Sequence, residues 1–524
     1  MPALFFFFSF ISFHFDMIDY WKLNSYVDFL LISENHFKMF LPEVFLTTSI
    51  LVLILYASLI VTSRSLGYPL LTTSLSRLCI LVLSLTFVLI VNSPIIEMIV
   101  YQNTFIFDEL SLSVKEILTI ATVFCLLMGE DVLKNHQINN IEYLILILCA
   151  VLGLLFLVSS FDLISLYLAI EMQSLCLYVL AASKKDSSFS TEAGIKYFIL
   201  GSFSSGLLLF GISLLYGCCG TTNFENFNLL FSGVDYKMLG LANFVEKSLF
   251  FIIIAFLFKI AAVPCHLWSP DVYEGAPTNS TIFFAVIPKI ALFSIFLRFF
   301  QGIFSSFEEI TLCVFVISSI ASVIVGSFVT LNQKKLKRLL AFSSVSHVGY
   351  LLLGFAANSI EGTQSLFFYL IVYMLTSLCL WSVVLSTNTC FNKKQSKTLV
   401  DLAFVSSINP LLGLSGMLAF FSLAGIPPLV GFFAKMEIFV SALGSSLFFA
   451  SIIAVLSSVI SSYYYIRLVK TIYFEKVTTH FFVLPIVSSC SFIMSLSTFF
   501  LLFLFMDPSL LLLFTQKMAL CLFN

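Results

Sequence analysis

Charge is what this sequence has least of. Only 10% of its 524 residues are Asp, Glu, Lys or Arg, against 60% hydrophobic residues and a mean hydropathy of +1.07. A soluble globular chain carries about 25% charged and about 45–50% apolar residues. One soluble core cannot absorb that excess, so the bilayer is the natural solvent and an ordinary soluble domain is excluded. The formal net charge of −2 comes with no basic stripe or arginine-rich arm, which excludes a nucleic-acid partner. The 12 cysteines contain no C-x-x-C, and the closest pair is Cys218–Cys219. That pattern argues against a metal site or a disulfide framework and for small apolar span residues. No phosphate loop or dinucleotide fingerprint opens a helix after a strand, so no cofactor-binding or metal site is expected in this chain. The Phe-rich first 15 residues lack the basic start of a secretory signal. Met1–Lys38 is therefore expected to be an interfacial anchor or a lineage-specific extension of unknown role.

What is present in abundance is apolar windows of spanning length. A crossing helix needs about 20 mostly apolar residues. Windows near 41–62, 77–98, 108–129, 141–158, 162–182, 190–217, 245–264, 279–300, 310–331, 336–357, 364–387, 403–424 (continuing to 444), 448–474 and 480–505 predict an all-α integral membrane protein with about 14 transmembrane helices. Fifteen lysines and arginines fall in connections after odd-numbered spans, against three after even-numbered ones: Lys237, Lys247 and Arg298. The basic side is then the cytoplasm-equivalent side, and both termini face the other way.

Five lysines fall inside spans: Lys115, Lys196, Lys259, Lys289 and Lys435. A lysine at the centre of a spanning helix costs about 2.5–3.5 kcal/mol on insertion scales, so each calls for a reason. Lys259 follows a long apolar run and precedes Pro264 and Pro270, which remove helix bonds to the Ile260 and His266 carbonyls. Transporters place ion sites at such broken helices. Lys435 follows Pro427–Pro428, a second expected break, by about 10 Å of helix. Two broken spans, each with a lysine, suggest an internal repeat. Lys289 has apolar residues on both sides, and Pro288 beside it frees the Phe284 carbonyl. Glu171 is the lone acid of its span and the natural partner of these lysines. His347, among serines, and Lys196, four residues past Glu192, are weaker relay candidates. Lys115, beside Glu116, is expected to be structural.

The stretches FLPEVFL, LAIEMQSLCLYVLAASK, STEAGIKYFILGSFSSGLLLFG, FKIAAVPCHLWSPDVYEGAPT, KRLLAFSSVSHVGY and AGIPPLVGFFAK resemble the antiporter-like membrane subunits of respiratory complex I. The resemblance runs from Met39 over nearly the whole chain. Lysine at 435, where subunit 4 relatives carry glutamate, disfavours that branch. An end at Asn524 soon after the last span disfavours the subunit 5 branch with its lateral helix; the subunit 2 branch remains.

The resemblance implies two inverted five-helix repeats, each with a broken helix. The chain then divides into an extension (1–38), three leading helices (39–140), a first repeat (141–300), a second repeat (301–479), and a last helix with the C-terminus (480–524). It implies proton translocation coupled to NADH–ubiquinone electron transfer, with Glu171, Lys259, Lys289 and Lys435 as the relay and Pro264, Pro270, Pro427 and Pro428 shaping the breaks. FMN, iron–sulfur clusters and quinone are expected in partner subunits. Partners are the other membrane-arm subunits of a hetero-oligomer, and lipids. The location implied is the mitochondrial inner membrane, with basic loops to the matrix and both termini to the intermembrane space, or else a bacterial plasma membrane. Rival functions are a subunit of a multisubunit cation/proton antiporter and a proton-inert assembly scaffold.

Overall fold

In hydrocarbon every backbone N–H and C=O must find its partner within the protein, which leaves the helix as the way for this chain to cross. The computed structural model describes residues 23–61, 69–94, 97–135, 141–184, 187–233, 242–387, 398–403, 405–475 and 487–523. Residues 1–22 of the extension, and the loop residues Arg64, Lys185, Lys237, Lys393, Lys394, Lys397 and Lys476, lie outside the described residues.

The leading helices are α1 (Leu23–Val61), α2 (Pro69–Val91) and α3 (Glu109–Asn135). Next come α4 (Ile141–Ser159), α5 (Leu163–Ala181), α6 (Ser188–Cys219), the short α7 (Phe224–Gly233), α8 (Ala242–Ile260), α9 (Trp268–Gly275) and α10 (Thr278–Leu297). Then follow α11 (Glu308–Leu331), α12 (Leu336–Ala356), α13 (Ile360–Ser386), α14 (Pro410–Ala424), α15 (Val430–Gly444) and α16 (Phe448–Tyr473). The chain closes with α17 (Ser488–Met506) and α18 (Ser509–Phe523).

Among the described residues, twelve helices are long and apolar enough to cross a membrane. Two more crossings are made in pieces, α8 with α9 and α14 with α15. Together they account for the fourteen crossings expected from hydropathy. The crossings α4, α5, α6, α8/α9 and α10 form one set of five, and α11, α12, α13, α14/α15 and α16 form another. Five is odd, so the second set enters from the opposite face and is inverted relative to the first. In each set the fourth crossing is the broken one.

Three details depart from expectation. The second span was expected to reach residue 98, but α2 stops at Val91, ahead of Asn92, Ser93 and Pro94. The chain then forms a hairpin, Met98–Val100 against Phe105–Phe107, turned through Tyr101, Gln102 and Asn103 at positive φ. Met39 and Phe40 of α1 pack on this hairpin. Residues 23–38 of the extension are not separate but continue the first crossing as one helix. Beyond Asp507–Pro508 lies α18, which the hydropathy windows did not single out. At about 22 Å it is too short to cross a 30 Å core. It is tied to the start of α3 by Lys517 and Glu109, 2.8 Å apart.

Local chemistry sets the ends that matter for the site. Asp162 caps α5 by accepting from the Ile164 amide at 3.0 Å, and it also accepts from the Thr222 hydroxyl at 3.2 Å. Asn409 caps α14, with Pro410 in the first turn, where its missing N–H is not needed. Gly425 ends α14 at φ 79°, a conformation that side chains with a β-carbon rarely adopt. The apolar spanning windows of α10, α12 and α13 are wholly enclosed by other helices, whereas those of the other unbroken crossings are 33–67% buried.

Candidate functional site

The first broken crossing stops at Ile260 because Ala261 turns to φ 62° and Pro264 follows. The Phe258 carbonyl accepts from the Ala261 amide at 3.1 Å and from the Trp268 indole at 2.9 Å, and Trp268 stacks on Tyr197 with ring centres 4.7 Å apart. Pro270, expected to break the helix, instead sits in the first turn of α9. The His266 carbonyl still accepts, from the amide and the hydroxyl of Ser269. A net of charges holds α9 in place. Asp271 faces Lys196 at 3.2 Å and Arg338 at 3.6 Å, and Glu274 faces Arg338 and Lys335. Lys196 also pairs with Glu192 at 2.8 Å and is 44% exposed. The structure places it on this outer net, away from the buried lysines.

Lys259 ends α8 beside the break. It donates to the Tyr178 hydroxyl at 3.4 Å and lies 5.9 Å from that ring. No ion pair joins it to Glu171. Glu171 accepts from the Ser174 hydroxyl at 3.3 Å through one carboxylate oxygen, and its other oxygen is buried without a partner. Lys259 and Lys289 line one cavity of about 20 Å³, together with Gln173, Ser174, Tyr197 and Tyr273. That is room for a water. Pro288 leaves α10 continuous, and the Phe284 carbonyl it frees accepts from the Tyr273 hydroxyl at 3.3 Å.

Lys289 points from the enclosed helix α10 to the Tyr373 hydroxyl on α13, at 3.4 Å. Tyr373 in turn lines a second cavity of about 10 Å³ with His347, Tyr369, Thr376 and Lys435. The two cavities share no lining residue. His347 is held from both sides, its Nδ1 2.6 Å from the Tyr369 hydroxyl and its Nε2 3.0 Å from that of Tyr465. Its ring centre lies 5.3 Å from that of Tyr373.

The second broken crossing parts at Gly425–Leu429, around Pro427–Pro428. Lys435, on the trailing half, reaches back to the end of the leading half. It donates to the Leu423 and Ala424 carbonyls, both at 2.8 Å. A cation there also meets the negative end of the α14 dipole. The halves can lie this close because Gly431 has no β-carbon to strike the Ser422 carbonyl.

The structure thus brings Lys259, Lys289, His347 and Lys435 onto two adjoining cavities. It leaves Glu171 apart from Lys259 and puts Lys196 on the outer net. Sequence reasoning missed the tyrosines Tyr178, Tyr369, Tyr373 and Tyr465, which carry no hydropathy signal. It also missed a second charge cluster. Lys115 pairs not with Glu116 but with Glu43 on α1, at 2.5 Å, both fully buried, with the ammonium 4.3 Å from the Phe107 ring centre. The acid inside the apolar FLPEVFL was the available signal. Arg298, read from sequence as a loop residue, is buried where a π-turn extends α10. It grips Asp108 at 2.8 and 2.6 Å and donates to the Val158 carbonyl. Removing it from the sparse side sharpens the Lys/Arg asymmetry. Among the described residues, no group of three or more His, Cys, Asp or Glu could hold a metal ion.

A family model described as NADH:quinone oxidoreductase/Mrp antiporter, transmembrane, matches residues 160–461, more than half of the chain. The chain is 42% identical over 491 residues to "NADH-ubiquinone oxidoreductase chain 2" of Marchantia polymorpha, covering 93% of this chain and 99% of that relative. It is 40% identical over 438 residues to "NADH-quinone oxidoreductase subunit N" of Paramagnetospirillum magneticum, covering 84% and 89%. Among solved structures, a chain of respiratory complex I from Thermus thermophilus with bound Aureothin superposes with a TM-score of 0.74 at 26% identity, covering 90% of this chain and 98% of that one. A chain of the Mrp complex from Dietzia sp. superposes with a TM-score of 0.77 at 19% identity, covering 93% and 98%, which shows a shared fold.

Proposed function

We propose proton translocation through this chain from one premise: it belongs to the NADH:quinone oxidoreductase/Mrp antiporter family, in the chain 2/subunit N branch of the complex I membrane arm. It is a multi-pass membrane subunit of a hetero-oligomeric NADH–quinone oxidoreductase. Electron transfer belongs to partner subunits, which would hold FMN, iron–sulfur clusters and quinone. This chain carries protons.

One observation carries the reading. Lys289 and Lys435, both buried, each line a water-sized cavity, and neither has a carboxylate as its hydrogen-bond partner. Their ammonium groups donate to a hydroxyl, in Lys289, and to backbone carbonyls, in Lys435. A small change in those dipoles is enough to favour proton uptake or release. Glu171 has an unpartnered oxygen, and Lys259 lines the first cavity. Closing Glu171 on Lys259 would hold a proton there, and opening the pair would pass it toward Lys289 and Lys435.

We read 141–300 and 301–479 as the two repeat units, with 39–140 ahead of them and 480–524 behind. The basic connections, including Lys184, Lys335, Lys337, Arg338, Arg467 and Lys470, face the compartment from which protons are taken, and the termini face the other. That compartment is the matrix if the chain is mitochondrial. The inner mitochondrial membrane is the setting we favour, with a bacterial plasma membrane as the other.

The test uses the assembled complex in liposomes. Lys289→Met and Lys435→Met should lower protons moved per NADH oxidised while leaving NADH oxidation by a hydrophilic acceptor unchanged. Wild-type pumping after Lys259, Lys289 and Lys435 are all replaced by Met would make the chain a scaffold and overturn the reading.

A further inference from the structure

The two cavities share no wall residue among those described, so a proton passing from Lys289 to Lys435 has side chains between them to cross. Tyr373 reaches both sides of the gap. The Tyr373 hydroxyl accepts from Lys289 at 3.4 Å, and the Tyr373 side chain lines the cavity that holds His347 and Lys435. We propose that this hydroxyl is the proton bridge between the cavities and that it admits protons and no other cation. The inference rests on the proton-translocating reading above and adds to it a residue and a selectivity.

A phenol both donates and accepts, and it is neutral in each role. When Lys289 is protonated, one N–H proton can move to the Tyr373 oxygen as the phenol's own proton leaves to a water in the second cavity, and from there to a neutral Lys435. Lys289 becomes neutral, one O–H bond forms as another breaks, and nothing is oxidised or reduced. Rotation of the hydroxyl then resets it, and Lys289 takes its next proton from the first cavity. His347 does not compete for the role, because both of its ring nitrogens are held by Tyr369 and Tyr465. A sodium ion cannot follow, because it cannot hop through an O–H bond. The wall between the cavities is enclosed, since α10 and α13 are both buried along their spanning windows. The position of the ring is set by packing on His347.

Tyr373→Phe keeps the ring and removes the bridge. In the reconstituted complex it should lower protons pumped per NADH by the same fraction as Lys289→Met. The double variant should lose no more than either single one, because the two groups act in series. Loss in Lys289→Met with wild-type pumping in Tyr373→Phe overturns the bridge and leaves the proton reading standing. Wild-type pumping in both overturns that reading. If Tyr373→Phe fails to assemble, 3-fluorotyrosine at 373 retains ring and hydroxyl but makes the phenol more acidic. The solvent deuterium isotope effect on pumping should then change by about twofold, and an unchanged isotope effect overturns the bridge. Sodium uptake by the wild-type complex, dependent on Tyr373, would overturn the selectivity.

Discussion

The two broken crossings solve one problem in different ways. Each leaves a buried helix end whose carbonyls need donors. In the second, Lys435 supplies them, giving its ammonium to the Leu423 and Ala424 carbonyls from the far side of the break. In the first, the Trp268 indole takes the Phe258 carbonyl, and Lys259 is left to a tyrosine hydroxyl and the cavity. One lysine is committed to holding the backbone and the other is free. The acid–base pairs repeat the contrast. Glu43 and Lys115 are closed at 2.5 Å, while Glu171 and Lys259 are open. Similar residue types are therefore fastened in one place and left to move in another.

The pairs offer the sharpest way to break this contrast. Glu43→Gln strands a fully buried ammonium, which costs about 3–5 kcal/mol when a buried pair loses one partner. The complex should fail to assemble or should dissociate at a much lower temperature, as read on native gels. Glu171→Gln should assemble normally and show its defect in pumping alone. Equal stability losses in the two variants would erase the distinction.

Next in size is the contrast between the lysines. Lys435→Met leaves two buried carbonyls without donors, at about 1–3 kcal/mol each. It should lower both the thermal inactivation midpoint and pumping. Lys259→Met should leave the midpoint near that of the wild type and lower pumping. Trp268→Phe is the smallest of these effects. It keeps the stacking on Tyr197 and leaves the Phe258 carbonyl with the Ala261 amide alone, a loss of one hydrogen bond worth about 0.5–1.5 kcal/mol. A midpoint unchanged by Trp268→Phe would mean that the indole is not what completes the first break.

The crossings and the breaks were legible because they are written in local composition. Apolar runs mark helices, and Pro264 and Pro427–Pro428 mark where helices part. The buried lysines stood out for the same reason, as charges in apolar windows. Pro270 was misread because a proline's effect depends on whether its residue falls inside a helix or in its first turn, and the break begins earlier, at Ala261. Arg298 was misread because it falls in the last turn of its window, where a basic residue reads as leaving the membrane, whereas the π-turn carries the helix on to Ile303. Glu43 stood out as an acid in an apolar run, but its pairing with Lys115 was not written locally, since the two lie 72 positions apart and only folding brings them together. The tyrosines were invisible for another reason: in a chain with 19 of them and 62 phenylalanines, one more aromatic ring carries no signal until its hydroxyl has a neighbour.

Lys289, His347 and Tyr373 all sit on α10, α12 and α13, the three helices jacketed by the rest of the bundle. The surrounding helices act like insulation around a wire. Lipid thickness, headgroup type and acyl order can tilt or squeeze the outer layer, but they meet none of these three side chains. Swapping the bilayer should therefore change how well the subunit docks with its neighbours long before it changes the internal conductor.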